Sequence, residues 1–317
     1  MKKISVFGCL LFFGICCFGV EPSDKPFIHA VHKGAKAMMT FCVLDNEGIP
    51  VSGANIETGF DDPAPGQSIY NQKTDTNGFC VVTGNTRGGM WFKITKPDFY
   101  QTEGNFYFRI KAPPYVVDGK WNPWNSTNTV ILKRIKNPVP MYVKEVNLGI
   151  PEYQKPLGFD LEKGDWVAPH GKGVRSDIIF HAESDNPGDA FNYKYSLTVT
   201  FPNEKDGIQT FTSPEGYSSQ LKSAEQAPAA GYDPKWVQTR HRTTDKIIEW
   251  NCDTNRKYYF RVRTVLDKDG NIVSALYGKI YGDFLNFTYY LNPTPNDRNI
   301  EFDPEKNLFG GRDRFAP

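Results

Sequence analysis

Apolar and polar residues alternate with a period of two through most of this chain, and Gly, Pro, Asn and Asp interrupt the alternation at short intervals. That pattern predicts β-strands joined by tight turns. In MMTFCVLD, residues 38–45, Phe41 and Val43 fall on one face and Cys42 on the other. A turn at Asn46, Glu47 and Gly48 leads into a second strand that starts at Pro50 and runs through Ala54 and Ile56. Asp75, Asn77 and Gly78 make another turn, feeding a strand from Phe79 to Thr83, and a further strand follows at Met90 to Thr95. In the second half, VRSDIIFHAE, FNYKYSLTVTF, IQTFTS, KIIEWNC, KYYFRVRTVLD, IVSALYGKIYGDF and LNFTYYLN all read as strands. FNYKYSLTVTF alternates strictly enough to predict one buried and one solvated face. VLDKDGNIVSA predicts a hairpin turning at Asp269-Gly270.

Three stretches break the strand pattern. RIKNPVPMYVKEVNLGIPEYQKP, residues 134–156, carries Pro138, Pro140, Pro151 and Pro156 and reads as an extended junction, with Met141 to Val143 as a candidate edge strand. SQLKSAEQAPAAGYDPKW, residues 219–236, is the one helix candidate, ended by Pro228 and the Gly231–Pro234 region. The last segment, 296–317, is rich in Pro, Asn and Asp and is expected to lie extended along the second domain before fraying.

The motif V-x-D-x-x-G-x-P-V-x-G-A-x-I is set by Val43, Asp45, Gly48, Pro50, Val51, Gly53, Ala54 and Ile56. It is followed by T-D-x-N-G-F at Thr74, Asp75, Asn77, Gly78 and Phe79. Residues 36–133 thereby resemble the carboxypeptidase regulatory-like domain. The resemblance implies a small secreted prealbumin-like β-sandwich that acts as an accessory and brings no catalytic residue. The insert APPYVVDGKWNPWNSTN is longer and more aromatic than that family's pattern. The second half resembles, in pattern only, an immunoglobulin-like or fibronectin-like sandwich. The expected fold class is all-β, with two tandem β-sandwich domains at 36–136 and 157–295, a junction at 137–156 and a tail at 296–317.

Composition supports that architecture: aromatics are 14% of 317 residues, with 28 Gly and 23 Pro for the turns. The first twenty residues, with Lys2, Lys3 and an apolar run from Ile4 to Phe18, read as a cleaved signal peptide, and 21–35 as a flexible segment. Phe13, Gly14 and Ile15 fit a lipidation box before Cys16 or Cys17 poorly. Removing the signal leaves 35 basic against 36 acidic residues, so no basic field attracts nucleic acid or anionic lipid. No later stretch is long and apolar enough for a membrane helix. A secreted, periplasmic or cell-surface location follows. Cys42, Cys80 and Cys252 then remain, and the opposite faces of Cys42 and Cys80 disfavour a bridge between them.

Candidate chemistry is sparse. GDWVAPHGKG, residues 164–173, collects Asp165, His170 and Lys172 on a turn-rich stretch, where an acid beside a His is the chemistry of a general base. The same glycines and proline also suit a plain entry loop to the second sandwich. Trp121 and Trp124, with Asn122 and Asn125, lie in a Gly/Pro/Asn-rich loop and offer flat apolar faces beside amides, as sugar binding requires. Burial of both rings at the base of the sandwich is the alternative. Asp297, Asn299, Glu301 and Asp303 alternate, so an extended chain would align them as a weak calcium candidate. The Asp267, Asp269 and Asn271 run lacks the later acid of a calcium loop and reads as a hairpin turn. His29 and His32 are the only close His pair, so zinc is not expected. Asn125-Ser-Thr and Asn286-Phe-Thr match the glycosylation acceptor. Neither G-x-S-x-G nor H-E-x-x-H occurs, and no cofactor is indicated. The chain therefore reads as a non-enzymatic binding or structural protein of the envelope, with carbohydrate or another envelope protein as partner. The alternative is an extracellular hydrolase on carbohydrate or peptide, centred on Asp165 and His170.

Overall fold

The computed structural model describes residues 25–62, 69–110, 113–186, 188–213, 216–253, 255–311 and 315–317. The signal-peptide expectation lies outside these residues. The first element is a helix, α1, Lys25–Lys33. The strands of the first half are β1 Ala35–Asp45, β2 Asn55–Phe60, β3 Ile69–Lys73, β4 Phe79–Thr86, β5 Gly89–Thr95, β6 Thr102–Tyr107, β7 Val116–Val117, β8 Lys120–Trp121 and β9 Ser126–Leu132. Those of the second half are β10 Val139–Asn147, β11 Pro156–Asp160, β12 Asp165–Trp166, β13 Ile178–Ser184, β14 Tyr193–Thr200, β15 Gly207–Phe211, β16 Tyr217–Ser219, β17 Lys235–Arg242, β18 Ile247–Trp250, β19 Lys257–Leu266, β20 Ile272–Asp283, β21 Asn286–Asn292 and β22 Phe302–Asn307. The protein is thus almost entirely β, built as two successive sandwiches.

In the first sandwich, one sheet has the order β4-β1-β8-β7 with β9 also paired in parallel to β1, and the other has the order β16-β6-β5-β2-β3. Strict alternation sends Ala37, Met39, Phe41 and Val43 of β1 inward against Ile56, Phe60, Phe92 and Ile94. The turn motifs do what their residue types allow. Asp45 Oδ1 accepts the backbone N–H groups of Glu47 and Ile49, and Asp75 Oδ1 those of Asn77 and Phe79. Gly78 sits at φ +77°, and a Cβ there would lie 2.5 Å from the Val43 carbonyl, so only glycine fits this crossing. Cys42 is half-buried and Cys80 buried, both as free thiols.

In the second sandwich the sheets have the orders β15-β19-β20-β21-β10-β22 and β12-β11-β13-β14-β17-β18. Phe159, Ile178, Phe180, Leu197, Tyr258, Phe260 and Tyr289 meet between them. A third apolar layer lies on the other side of the first of these sheets. There Tyr259, Tyr277 and Tyr290 pack against Ala227, Ile300 and Phe302, which come from the crossing segment after β16 and from the C-terminal segment. Sheets covered on both faces read as unbroken buried runs, which accounts for the six successive buried residues Ala275–Ile280 of β20.

Three expectations are corrected here. Residues 25–33, expected to be flexible, form α1. Its Phe27 ring meets Tyr115 at 5.0 Å, Ala30 is buried, and the Gly34 N–H closes the helix on the Ala30 carbonyl. The junction is no spacer and its strand is no edge: β10 lies between β21 and β22, pairing with β21 over Tyr142–Asn147. The tail contributes the edge strand β22. The helix candidate holds no helix: its first residue ends β16, which joins the first sandwich opposite β6. The rest crosses back as an extended segment whose Leu221 and Ser223 carbonyls accept from Lys133 Nζ.

This crossing segment also covers Lys279, which is fully buried. Its Nζ donates to Ser223 Oγ at 3.3 Å and stands 4.8 Å from the Tyr290 ring centre. Burial first, and then the neighbouring Lys133 charge, push its amine well below the ordinary lysine value of 10.5, against the pull of Glu301. An unfolded lysine takes up its proton as pH falls through 10.5, whereas the buried amine resists, so folding is penalised below that pH. Lys279→Met is expected to raise unfolding free energy at neutral pH by about 1–4 kcal/mol, the range for replacing buried charge with apolar volume. The gain should shrink as pH approaches the ordinary lysine value. Thermal melts of both proteins across neutral to alkaline pH check this; a variant less stable throughout contradicts it.

Candidate saccharide-binding face

The residues singled out from sequence are placed as follows. Trp121 has no exposed surface: its Nε1 donates to the Thr86 carbonyl at 2.8 Å and its ring packs against Phe27 and Phe108. It belongs to β8, not to a loop, and cannot stack on a ligand. Trp124 is 37% exposed, with Lys120 Nζ 4.9 Å above its ring. Asn122 Nδ2 donates to the Pro114 carbonyl, and Asn125, at φ +54°, accepts from Thr40 Oγ1. Asn122 ties its loop to Pro114 and Asn125 ties it to β1, and with Trp121 buried the expected platform of two tryptophans is not assembled.

In the 164–173 stretch, Asp165 Oδ1 accepts the Trp166 N–H and Oδ2 the Lys172 N–H. His170 faces Glu152 at 3.7 Å rather than Asp165, and Lys172 is exposed. What organises the loop was not read from the sequence. Asp160 is buried and accepts four backbone N–H groups, from Glu162, Lys163, Val174 and Arg175, at both ends of the loop. Beside it, Arg263 reaches Asp177 through two hydrogen bonds of 2.7 and 2.9 Å and Glu162 at 2.7 Å. Burial lifts the Asp177 carboxyl above the usual carboxylate range despite this pairing.

The calcium candidate is overturned as well. Glu301 accepts from Tyr100 Oη, Lys136 N and Asn137 N at 2.7–2.8 Å, Asp297 accepts from Asn292 and Asn299, and Asp303 pairs with Lys306. Among the described residues no group of three acids, histidines or cysteines is arranged to hold a metal ion.

An aromatic face does form, on the outer side of the sheet β16-β6-β5-β2-β3. In β5, GMWFKIT, Met90, Phe92 and Ile94 point inward, so Trp91 and Lys93 point out. Register aligns Gly59, Trp91 and Asn105 across three strands, and beside them Glu57, Lys93, Glu103 and Ser218. A Cβ on Gly59 would lie 2.2 Å from Trp91 Nε1, so the indole lies against the bare backbone of β2. Glu57 and Lys93 pair at 3.4 Å, and Tyr107 is 45% exposed. Together Trp91, Tyr107, Asn105, Glu57, Lys93 and Glu103 line an open cleft of about 990 Å³. A flat ring flanked by amide and charged hydrogen-bonding groups suits a sugar, whose C–H face packs on the ring while its hydroxyls reach the polar groups. The signal was present in the alternation of β5, but Gly59 under the indole depends on register.

No family model and no curated protein matches the chain. Solved structures that the chain matches include 3-chlorocatechol 1,2-dioxygenase from Rhodococcus opacus 1CP, 12% identical over 32% of this chain and 61% of that one, with a TM-score of 0.27. A streptococcal ancillary pilin is 12% identical over 79% and 60% of the two chains, with a TM-score of 0.24. A shaft pilin from Lactobacillus rhamnosus GG is 9% identical over 84% and 94%, with a TM-score of 0.22. The chain spans less than two thirds of that dioxygenase and of the ancillary pilin. At these scores the likenesses say nothing of activity.

The loop network generates a stability test. Arg263→Met leaves the Asp160 and Asp177 carboxylates buried without their cation, and is expected to cost about 3–5 kcal/mol. His170→Ala and Lys172→Ala, at the exposed rim, should stay within about 0.5 kcal/mol of the parent. Urea titrations read both; equal losses for Arg263 and His170 variants would contradict the assignment of Asp160, Asp177 and Arg263 as the loop's anchor.

Proposed function

We propose that this chain is a non-enzymatic binding protein of the secreted or cell-surface class, and that its first sandwich, of carboxypeptidase regulatory-like type, holds a polysaccharide chain on the Trp91 face. The observation that carries this reading is the indole lying against Gly59, with Asn105, Glu57, Glu103 and Tyr107 around it. Export rests on the charged and apolar pattern of the first twenty residues. No helix among the described residues is long and apolar enough to cross a membrane. The hydrolase alternative has less support, because both Asp165 oxygens already accept backbone N–H groups and His170 faces a different acid.

Retention in native gels cast with a panel of soluble polysaccharides tests the proposal. Trp91→Ala is expected to weaken retention by about thirtyfold, a loss of about 2 kcal/mol typical of a central aromatic contact. Gly59→Val should weaken it comparably without touching the ring, because its side chain displaces the indole. Trp124→Ala should leave retention intact. If no polysaccharide retards the parent, or Trp91→Ala is retarded equally, the reading falls.

A further inference from the structure

The Trp91 cleft does not end at the last strand of its sheet. Tyr217 and Ser218 of β16 line it and also line a smaller cleft of about 350 Å³, which Lys222, Lys257 and Tyr281 complete. β16 stands there because it extends the sheet beyond β6, pairing Tyr217 with Gly104 and Ser218 with Glu103. The chain that follows carries Lys222 over the end of β20, where its Nζ stands 5.4 Å from the Tyr281 ring centre. Lys257 opens β19 directly opposite Tyr281 in the ladder, so both amines flank one ring. Trp91 lies on β5, two strand spacings or about 10 Å from β16. A polymer lying across β5 and β6 therefore arrives at the lysines.

The two clefts differ in charge. Around the indole, Lys93 is answered by Glu57, and Glu103 adds a further carboxylate. In the smaller cleft two amines converge without an acid. Among the described residues neither Lys222 nor Lys257 makes an ion pair, Glu103 included, and Lys257 Nζ donates to the Asn255 carbonyl at 3.1 Å. Arg256, next in sequence, is turned away over the Trp236 ring. Burial, and then the Lys222 charge, hold the Lys257 amine below the ordinary value of 10.5, against the pull of Asp253. Two like charges in one cleft repel, and an anion between them reverses the sign of that interaction. The carboxylates at the indole also set an order along the face. They repel a charged group from the ring, while the lysines at the far end attract it.

We infer that Lys222 and Lys257 form an anion subsite at the end of the Trp91 face, and that the polysaccharide held there carries acidic groups, as carboxylates or sulfate esters. The inference rests on the reading of that face as a polysaccharide site. Calorimetric titration of the full chain with matched polymers tests it: polygalacturonate against its methyl ester, alginate against its propylene glycol ester, and dextran sulfate against dextran. The acidic member of at least one pair should bind more tightly than its neutral counterpart, and the pair that shows this identifies carboxylate or sulfate as the source. Replacing both lysines, Lys222→Gln with Lys257→Gln, should weaken the acidic member about tenfold, two exposed ion pairs at about threefold each, and leave the neutral member unchanged. Lys222→Arg should retain the preference, as should Lys246→Gln on β18. The thermal midpoint of the double variant should be unchanged or higher, because no ion pair is lost. No preference for any acidic member, a preference that survives the double substitution, or duplex DNA bound as tightly as the acidic polymer overturns the inference. If Trp91→Ala abolishes binding while the lysine variants change nothing, the subsite falls and the Trp91 reading stands. If the double substitution weakens the acidic polymer and Trp91→Ala does not, the Trp91 reading falls and the lysine site stands without it.

Discussion

The central constraint on this molecule is that the sheet containing β19, β20, β21 and β10 is apolar on both faces. One face is satisfied by the partner sheet of the second sandwich. The other, carrying Tyr259, Tyr277, Lys279 and Tyr290, requires a second cover, and the chain supplies it from two extended segments. Those same segments bind the first sandwich. β16 extends the sheet of β6, and Tyr217 Oη accepts the Ile131 N–H of the opposite sheet. Glu301 takes Tyr100 from one side and the backbone of Lys136 and Asn137 from the other. Burial of one hydrophobic face thus determines how the two sandwiches are joined.

Carboxylates do a second, recurrent job. Asp45, Asp75, Asp160, Asp189, Asp267 and Asp283 each accept two or more backbone N–H groups at a turn. An all-β chain with many turns exposes donors that no ladder satisfies, and a short acid is the nearest local acceptor. Acids in loops are therefore weak evidence for chemistry in this fold. Asp165 belongs to the same set, caught between Trp166 N and Lys172 N. Glu57 and Glu103 differ because they project from strand interiors on a solvated face, where no turn needs them.

How much was legible in the sequence follows from the range of the interactions. The two-residue period of β1 and β5, and the Asp75-to-Gly78 and Asp267-to-Gly270 turns, are local, and the strands and hairpins formed where the alternation placed them. α1 escapes a sequence reading because nine residues give only about two and a half turns of period, beside a signal-like stretch. β10 is masked by Pro138 and Pro140, which suit a strand end and an outward position as well as a spacer. Trp121 looks like a loop residue because two-residue strands such as β8 carry no period at all. The pair Arg263 and Asp177 is separated by 86 residues and its anchoring of the loop leaves no local trace. The Trp91 platform is a mixed case: its outward direction follows from alternation, but the bare backbone beneath it depends on Gly59 arriving opposite it from another strand.

The Trp91 face illustrates how a strand fold prepares a surface for a ligand. On the first sandwich, a missing side chain lets an indole lie against the backbone, so the ring is held by van der Waals contact and presents its free face without reorganisation. Strand registry creates this surface, so it does not depend on loop sequence. The aromatic and polar loops at 120–125 and 164–173, the most suggestive segments by composition, carry structure, while the proposed polysaccharide face is built from strands.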